Sequence, residues 1–434
     1  MRINHTTTRQ EQHLKRVSEW SGVAATALCL LLISLTPRPT EAFQFVCSEM
    51  SCTITRWTPH DEGTFLLTHV PEMTVLLKFV NLKANQFNFE ILRNATRIGT
   101  TVQIVKSPIQ RVLVPASINA IFTKLTRTYL REILFERGNA LMEGLSIKES
   151  RLKSVPATFL TVVRNIEITH SLIEAVNFNL FSKLQHLEQI NLCNNKILYL
   201  QIAITSDNDF PNLRDVYLAD NLLTTVNLHS FSGMRALQTL DFRRNRVARV
   251  DGPLVSDNVK SIELSWNRIE TMYCCEWNAT NMAWFALNYN ALAWLPMCLE
   301  VAMPNLAYLG FSSNALENNY VRRVVTMKQL KHLDISHNRL TSVEFSEVSF
   351  SLQIINLEHN RITRLSLPSV GAGLKLIVSF NAIEQFDLKS LSPNVTSLEM
   401  LHNPIDCSFN KELMRSDEEI QCIRTEATAN PIDR

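Results

Sequence analysis

Glycine is scarce in this chain, with ten in 434 residues. None of them builds a phosphate-cradling loop, and GxSxG and HExxH are missing as well. The Ser, His and Asp residues are scattered, as in any chain of this length. An enzyme is therefore not expected, and no cofactor is implied. There is no CxxC pair and no Cys/His cluster at zinc-finger spacing, which excludes the common structural zinc sites. An excess of one charge is lacking too. The 43 Lys and Arg against 41 Asp and Glu leave a net charge of +2, too little to steer the whole molecule toward nucleic acid or a membrane surface. What is abundant is apolar: 46% hydrophobic residues exclude a disordered chain.

The one long apolar run is Gly22 to Leu35, preceded by Arg2, Arg9, Lys15 and Arg16 and followed by Thr40-Glu41-Ala42. This pattern predicts a secretory signal peptide over residues 1–42, cleaved near Phe43, with an uncleaved signal anchor as the alternative. At fewer than about 20 residues the run is short for a bilayer span, and no later stretch is apolar enough to make one. The expected product is secreted, with no membrane span after signal removal. Asn94-Ala95-Thr96, Asn278-Ala279-Thr280 and Asn394-Val395-Thr396 are sequons that agree with that compartment, where cysteines pair by default.

The organising feature is an eleven-residue template, LxxIxLxxNxI, at Leu187–Ile197. It returns nine times up to Val395–Ile405, and its asparagines, from Asn195 to Asn403, are 21 to 26 residues apart. That period is the signature of leucine-rich repeats. Apolar positions 1, 4, 6 and 11 point into a shared core, while positions 3, 5 and 7 of a short strand face outward. The asparagine at position 9 is a ladder residue that bonds backbone groups of the turn. One repeat cannot bury its own apolar face, so neighbours must stack. The expected fold is an α/β leucine-rich-repeat solenoid, a horseshoe with a concave parallel β-sheet and cysteine-stapled caps. Its expected parts are an amino-terminal cap over 43–70, a solenoid over 71–405, and a carboxy-terminal cap and tail over 406–434.

Upstream the template degenerates. Leu77, Val80, Leu82, Asn85 and Phe87 fit one copy, and Gly99, Val102, Ile104, Ser107 and Ile109 a second. Residues 115–140 allow two readings. Either Ala120, Thr123, Leu125, Thr128 and Leu130 form a copy, or Tyr129 to Arg137 is a short helix. Copies at Met142–Leu152 and Val163–Ile173 carry serine at position 9. Phe181 and Phe231, each ten residues after position 9, are expected to plug the core from the convex side, where short 3₁₀ or helical turns are expected.

Eight cysteines follow the predicted signal. Cys47 and Cys52 bracket the start, and Cys407 and Cys422 would staple the end. Cys275 and Cys298 each lie eight residues after a template asparagine, so stacking brings them within disulfide reach, with Cys274 to Cys298 the near alternative. Cys193 and Cys274 are left over. Cys193 falls at position 7, facing outward, as a candidate reactive or intermolecular thiol.

The signal, the bracketed start Phe43-Gln44-Phe45-Val46-Cys47 to Cys52, the degenerate early repeats and the ending Asn403-Pro404-Ile405-Asp406-Cys407 together give a resemblance. The chain looks like the secreted leucine-rich-repeat immune proteins of mosquitoes, over residues 43 to 422. Long members carry a coiled coil after the repeats, form disulfide-linked dimers and bind complement-like thioester proteins. This sequence has no heptads after its repeats and resembles the coil-less members. The resemblance implies extracellular partners, either complement-like or other leucine-rich-repeat proteins, and a role in innate immunity.

Position numbers also place candidate binding residues. Trp284 and Tyr308 share position 3, and Trp266 and Tyr289 share position 8, which predicts a contiguous aromatic patch. His332, His337, His359 and His402 adjoin it as surface histidines, a pH sensor or a weak metal site. A protein-binding patch competes here with rings that merely extend the core edge. Three functions follow: immune recognition of proteins through the concave face, an adhesion or developmental ligand, or direct recognition of microbial glycans. Fold alone does not choose among them.

Overall fold

Apolar residues at positions 4 and 6 flank an outward position 5, and a strand can bury such a pattern on one side only. In the computed structural model each clear copy forms a short strand centred on position 4, parallel to that of the next copy. The structure describes residues 42–96, 99–136, 138, 141–156, 162–204, 209–317, 321–345, 348–366, 370–386, 392–405 and 419–421. The predicted signal and the Cys407–Cys422 pair lie outside the described residues.

The chain forms two compact units, residues 1–142 and 143–434. In the first, strands run β1 (Gln44–Cys47), β2 (Ser51–Thr55), β3 (Leu76–Val80), β4 (Gln86–Asn88), β5 (Thr100–Ser107), β6 (Arg111–Val114), β7 (Ala120–Thr128) and β8 (Glu132–Phe135). β1 and β2 form an antiparallel hairpin in which Cys47 faces Cys52, and the two are disulfide-bonded with Cα atoms 4.1 Å apart. β2, β3, β5 and β7 then pair in parallel, and β4, β6 and β8 make a second parallel sheet. Leu77, Phe79, Phe89 and Ile104 are buried in this unit, and Trp57 stacks on Phe79 at 5.7 Å.

Two readings of the early repeats are resolved here. The copy at 120–130 is real, and Tyr129 to Phe135 passes into strand β8 instead of forming a helix. The first degenerate copy needs a correction of three residues. Leu77 pairs with Val102, so Leu77 and Phe79 hold positions 4 and 6, while Val80 is half-buried and Asn85 exposed. The turn after Asn81 is two residues shorter than usual. Leu82 already donates its N–H to Ser107 Oγ at 3.0 Å, the bond that position 11 makes in later copies.

The second unit contributes β9 (Gly144–Lys148), β10 (Asn165–Thr169), β11 (Ala175–Asn177), β12 (Gln189–Asn191), β13 (Tyr199–Gln201), β14 (Asp215–Tyr217), β15 (Thr225–Asn227), β16 (Thr239–Asp241), β17 (Arg249–Asp251), β18 (Ser261–Glu263), β19 (Trp284–Ala286), β20 (Tyr308–Gly310), β21 (His332–Asp334), β22 (Ser342–Glu344), β23 (Ile354–Asn356), β24 (Arg364–Ser366), β25 (Leu374–Ile377), β26 (Val395–Glu399) and β27 (Glu419–Gln421). The template strands form one parallel sheet, and position pairs with like position, as in Trp284 with Tyr308. This is the concave sheet of a leucine-rich-repeat solenoid. The opposite side holds short elements, namely the 3₁₀ turns Phe178–Leu180 and Leu228–Phe231, the single helical turn Leu299–Ala302, and two-stranded parallel pairs such as β15 with β17. Phe181 and Phe231 fill the core as expected, at 0% and 1% exposure.

The asparagines form the ladder. Asn221 donates through Nδ2 to Leu192 O and Leu218 O, both at 3.0 Å, and accepts from Ile197 N–H at 3.1 Å. The same set recurs down to Asn403, which reaches Val378 O and Met400 O and accepts from Ile383 N–H. Where serine replaces asparagine the arm is shorter: Ser150 and Ser171 bond each other at 2.7 Å. A second row, just before position 1, is not evident from the template. There the Nδ2 groups of Asn212, Asn258, Asn281, Asn305 and Asn394 donate to backbone carbonyls of the preceding copy at 2.6–2.8 Å. Ser351 does the same toward Lys328 O.

The disulfide in this unit joins Cys275 to Cys298, Cα to Cα 4.8 Å, and the alternative with Cys274 is not formed. Cys298 is half-buried and Cys275 exposed, whereas Cys274 is wholly buried.

Candidate protein-recognition surface

At position 8 the strand has ended and the chain must turn so that position 9 points inward. In all twelve copies of the second unit, from Glu149 to His402, this residue has φ between 51° and 60°. Bulky side chains rarely adopt that left-handed region, whereas glycine, asparagine and aspartate do so more readily. Asn194 and Asp220 fit that preference. Histidine is enriched there too, so His337, His359 and His402 also fit, whereas Trp266, Tyr289 and Phe380 do not, and each of these three bears a backbone cost on the order of 1 kcal/mol.

The aromatic side chains stack into a column across strands about 5 Å apart. Trp266 and Tyr289 lie face to face, with centroids 3.8 Å apart and planes 8° apart. Arg244 places its guanidinium over the other face of Trp266, 5.1 Å from the ring centre. Ser313 interrupts the column, which resumes as His337, His359, Phe380 and His402 at successive distances of 4.2, 4.2 and 4.1 Å. Trp266 and Tyr289 remain 46% and 43% exposed. Phe380 and Arg244 complete this column, and the template reading omitted both.

The position-3 column runs beside it. Trp284 and Tyr308 stack at 3.6 Å and 7°, and His332 meets Tyr308 edge-on at 5.0 Å. Small residues at position 5, Ala286 and Gly310, leave room for these rings. A Cβ on Gly310 would come within 2.8 Å of the Tyr308 hydroxyl and of Asn288 Oδ1. Asn288 in turn accepts from Ser312 N–H at 2.8 Å. The next position-5 residues on either side are acidic. Glu263 accepts from the Trp284 indole Nε1 at 3.4 Å and from Ser265 Oγ at 2.5 Å, and Asp334 accepts from Ser336 Oγ at 2.7 Å. Burial, helped by Asp334 and Glu263, raises the Tyr308 pKa above its ordinary value, so the phenol stays protonated and uncharged. Burial lowers that of His332, against the pull of Asp334.

The expected patch residues are thus brought together as two parallel columns on one sheet. His337 and His359 share the position-8 column with Trp266 and Tyr289, whereas His332 belongs to the other. Among the described residues no group of three or more His, Cys, Asp or Glu is placed to hold a metal ion. Cys193 sits on the same sheet beside Asp241 and Asp220, and burial pushes its thiol up to about 11, so it is not a thiolate at neutral pH. Burial raises the Cys274 thiol as well. Asn94 and Asn278 are exposed, while Asn394 is half-buried with its amide in the second ladder.

The chain matches leucine-rich-repeat family models over residues 202–247 and 329–350. No curated protein matches it. Among solved structures it resembles the LRIM1/APL1C complex, with TM-score 0.57 and 18% identity over 83% of this chain and 63% of that one. It also resembles the leucine-rich-repeat domain of APL1, with TM-score 0.55 and 18% identity over 82% and 88% of the two chains. A leucine-rich-repeat protein of Leptospira interrogans gives TM-score 0.54 and 18% identity over 76% and 91%. These likenesses establish the fold, one typically used as a non-enzymatic scaffold for protein interactions. Among the described residues no helix is long and apolar enough to cross a membrane.

Proposed function

We propose that this chain is a secreted protein of innate immunity that recognises other proteins through the two aromatic columns of its concave sheet. The observation that carries this reading is the choice of residue at position 8. The backbone there favours asparagine or glycine, yet bulky rings occupy it in consecutive copies and stay near half exposure. Stacking returns about 0.5–1.5 kcal/mol per pair, which roughly offsets the strain and leaves little net gain in stability. Exposed rings held at that cost suit an interface, where Trp and Tyr dominate binding energy. Complement-like thioester proteins and other leucine-rich-repeat proteins are the partner classes this reading names. Direct glycan recognition fits less well, because stacking already covers at least one face of each ring on which a sugar would pack.

The reading is tested by capture from extracellular fluid, with partners identified by mass. The double variant Trp266→Asn, Tyr289→Asn installs the residue that the backbone prefers. Its stability is expected to stay within about 1 kcal/mol of wild type, while capture of the partner is lost. A variant that melts earlier yet captures normally would identify the rings as core edge. Secretion is checked separately by expression in insect cells. The product is expected in the medium, starting near Phe43, with a mobility sensitive to glycosidase through Asn94, Asn278 or Asn394. Retention in the membrane fraction, as a surface-attached adhesion ligand requires, would overturn that expectation.

A further inference from the structure

The two ring columns end differently. In the position-8 column, the outer face of Trp266 carries the guanidinium of Arg244. In the position-3 column, the corresponding face of Trp284 looks toward β18, where its partner in register is Ser261. Serine is too short to cover an indole. Trp284 is 41% exposed, and its N–H is held by Glu263. Glu263 makes no ion pair among the described residues, although Arg243, held by Asp241, lies near enough to feel its charge; its other oxygen accepts from the N–H and hydroxyl of Ser265. An open indole face beside a carboxylate that is in no ion pair attracts a cation through both the ring quadrupole and the charge.

The surrounding field has the same sign. From β14 to β26, the outward positions 3, 5, 7 and 8 carry seven acids (Asp215, Asp220, Asp241, Glu263, Asp334, Glu358, Glu399) against three bases (Arg243, Arg244, Lys375). Two of the bases are spent within the chain, Arg243 on Asp241 and Lys375 on Glu399. A nearly neutral protein thus presents an acidic recognition sheet, which favours association with a basic surface.

We propose that the open face of Trp284, with Glu263, receives an arginine or lysine side chain from a basic segment of a protein partner. This rests on the concave-sheet reading above and adds the chemistry of the partner to it. Arg244 on Trp266 is the same arrangement, made within the chain.

The test titrates the full chain with hexa-arginine and, separately, hexa-glutamate, followed by tryptophan fluorescence and calorimetry at physiological salt. Saturable binding is expected for hexa-arginine alone. Glu263→Gln removes the charge at nearly the same size and keeps one acceptor oxygen, enough for Ser265 or Trp284 but not both, and is expected to weaken binding tenfold or more. Ser261→Arg supplies a guanidinium from within, as Arg244 does for Trp266, and is expected to block the site at unchanged melting temperature. If that variant does not fold, Glu263→Gln decides alone. Asp215→Asn removes the same charge farther along the sheet, and a smaller loss is expected. Absence of saturable binding, equal losses in Glu263→Gln and Asp215→Asn, or unimpaired binding by folded Ser261→Arg would each overturn the proposal. If Ser261→Arg still captures the natural partner while the Trp266, Tyr289 double variant does not, the cation site fails and the concave-sheet reading survives. If both variants capture normally, the concave-sheet reading itself fails.

Discussion

Asn221→Ala is expected to destabilise the second unit by about 3 kcal/mol or more, because one side chain there serves several buried backbone groups. Asn221 is 4% exposed. Its loss orphans the buried Ile197 N–H, at about 1–3 kcal/mol, and takes one of two amide donors from the Leu192 carbonyl, which keeps that of Asn195. Leu218 O loses the same donor. The contrast is Asn258→Ala in the second ladder. Asn258 makes one bond, to Arg235 O, from an exposed position where water can replace it. Its loss is expected to cost about 0.5–1 kcal/mol. Chemical denaturation of the two variants measures the difference directly, since a solenoid transmits each change mainly to neighbouring repeats. Equal effects would mean that position 9 tolerates water and that the ladder is not the scaffold's main polar support.

The same comparison shows what the sequence makes legible. Position 9 and the apolar positions around it repeat with one residue type each, so a template finds them in ten copies. Cys275 and Cys298 were within reach for the same reason, since equal offsets from two template asparagines become a Cα separation of 4.8 Å once the repeats stack. The second ladder is hidden because His186, Ala236 and Ser351 stand in its row beside the asparagines, and only geometry unites them. In the first degenerate copy Asn85 imitates position 9, while the true turn after Asn81 is too short to contain one. The patch was half legible. Column membership follows from counting, so Trp266, Tyr289, Trp284 and Tyr308 could be placed together. The left-handed backbone at position 8 could not be foreseen, since tryptophan and tyrosine are the wrong residues to announce it. Nor could Arg244 capping Trp266, or the room that Gly310 leaves for the Tyr308 hydroxyl, because both depend on side-chain direction.

Trp284→Ala is expected to lower partner affinity about thirtyfold while leaving the fold nearly as stable. A buried interface tryptophan typically contributes about 2 kcal/mol or more when truncated, which corresponds to that factor. The stability side of the argument rests on exposure. Trp284 is 41% exposed before any partner arrives, so truncation opens no closed cavity. What the fold loses is one stacking contact with Tyr308 and one long hydrogen bond to Glu263, together about 1–2 kcal/mol. Phe285, next in sequence, points the other way and is fully buried, so Phe285→Ala supplies the opposite pattern: a loss of about 3–5 kcal/mol in stability, with affinity of the folded fraction unchanged. Measuring melting and affinity on both variants therefore separates recognition from packing at two adjacent residues of one strand. Should Trp284→Ala behave like Phe285→Ala, the columns belong to the core and the recognition surface must be sought elsewhere on the solenoid.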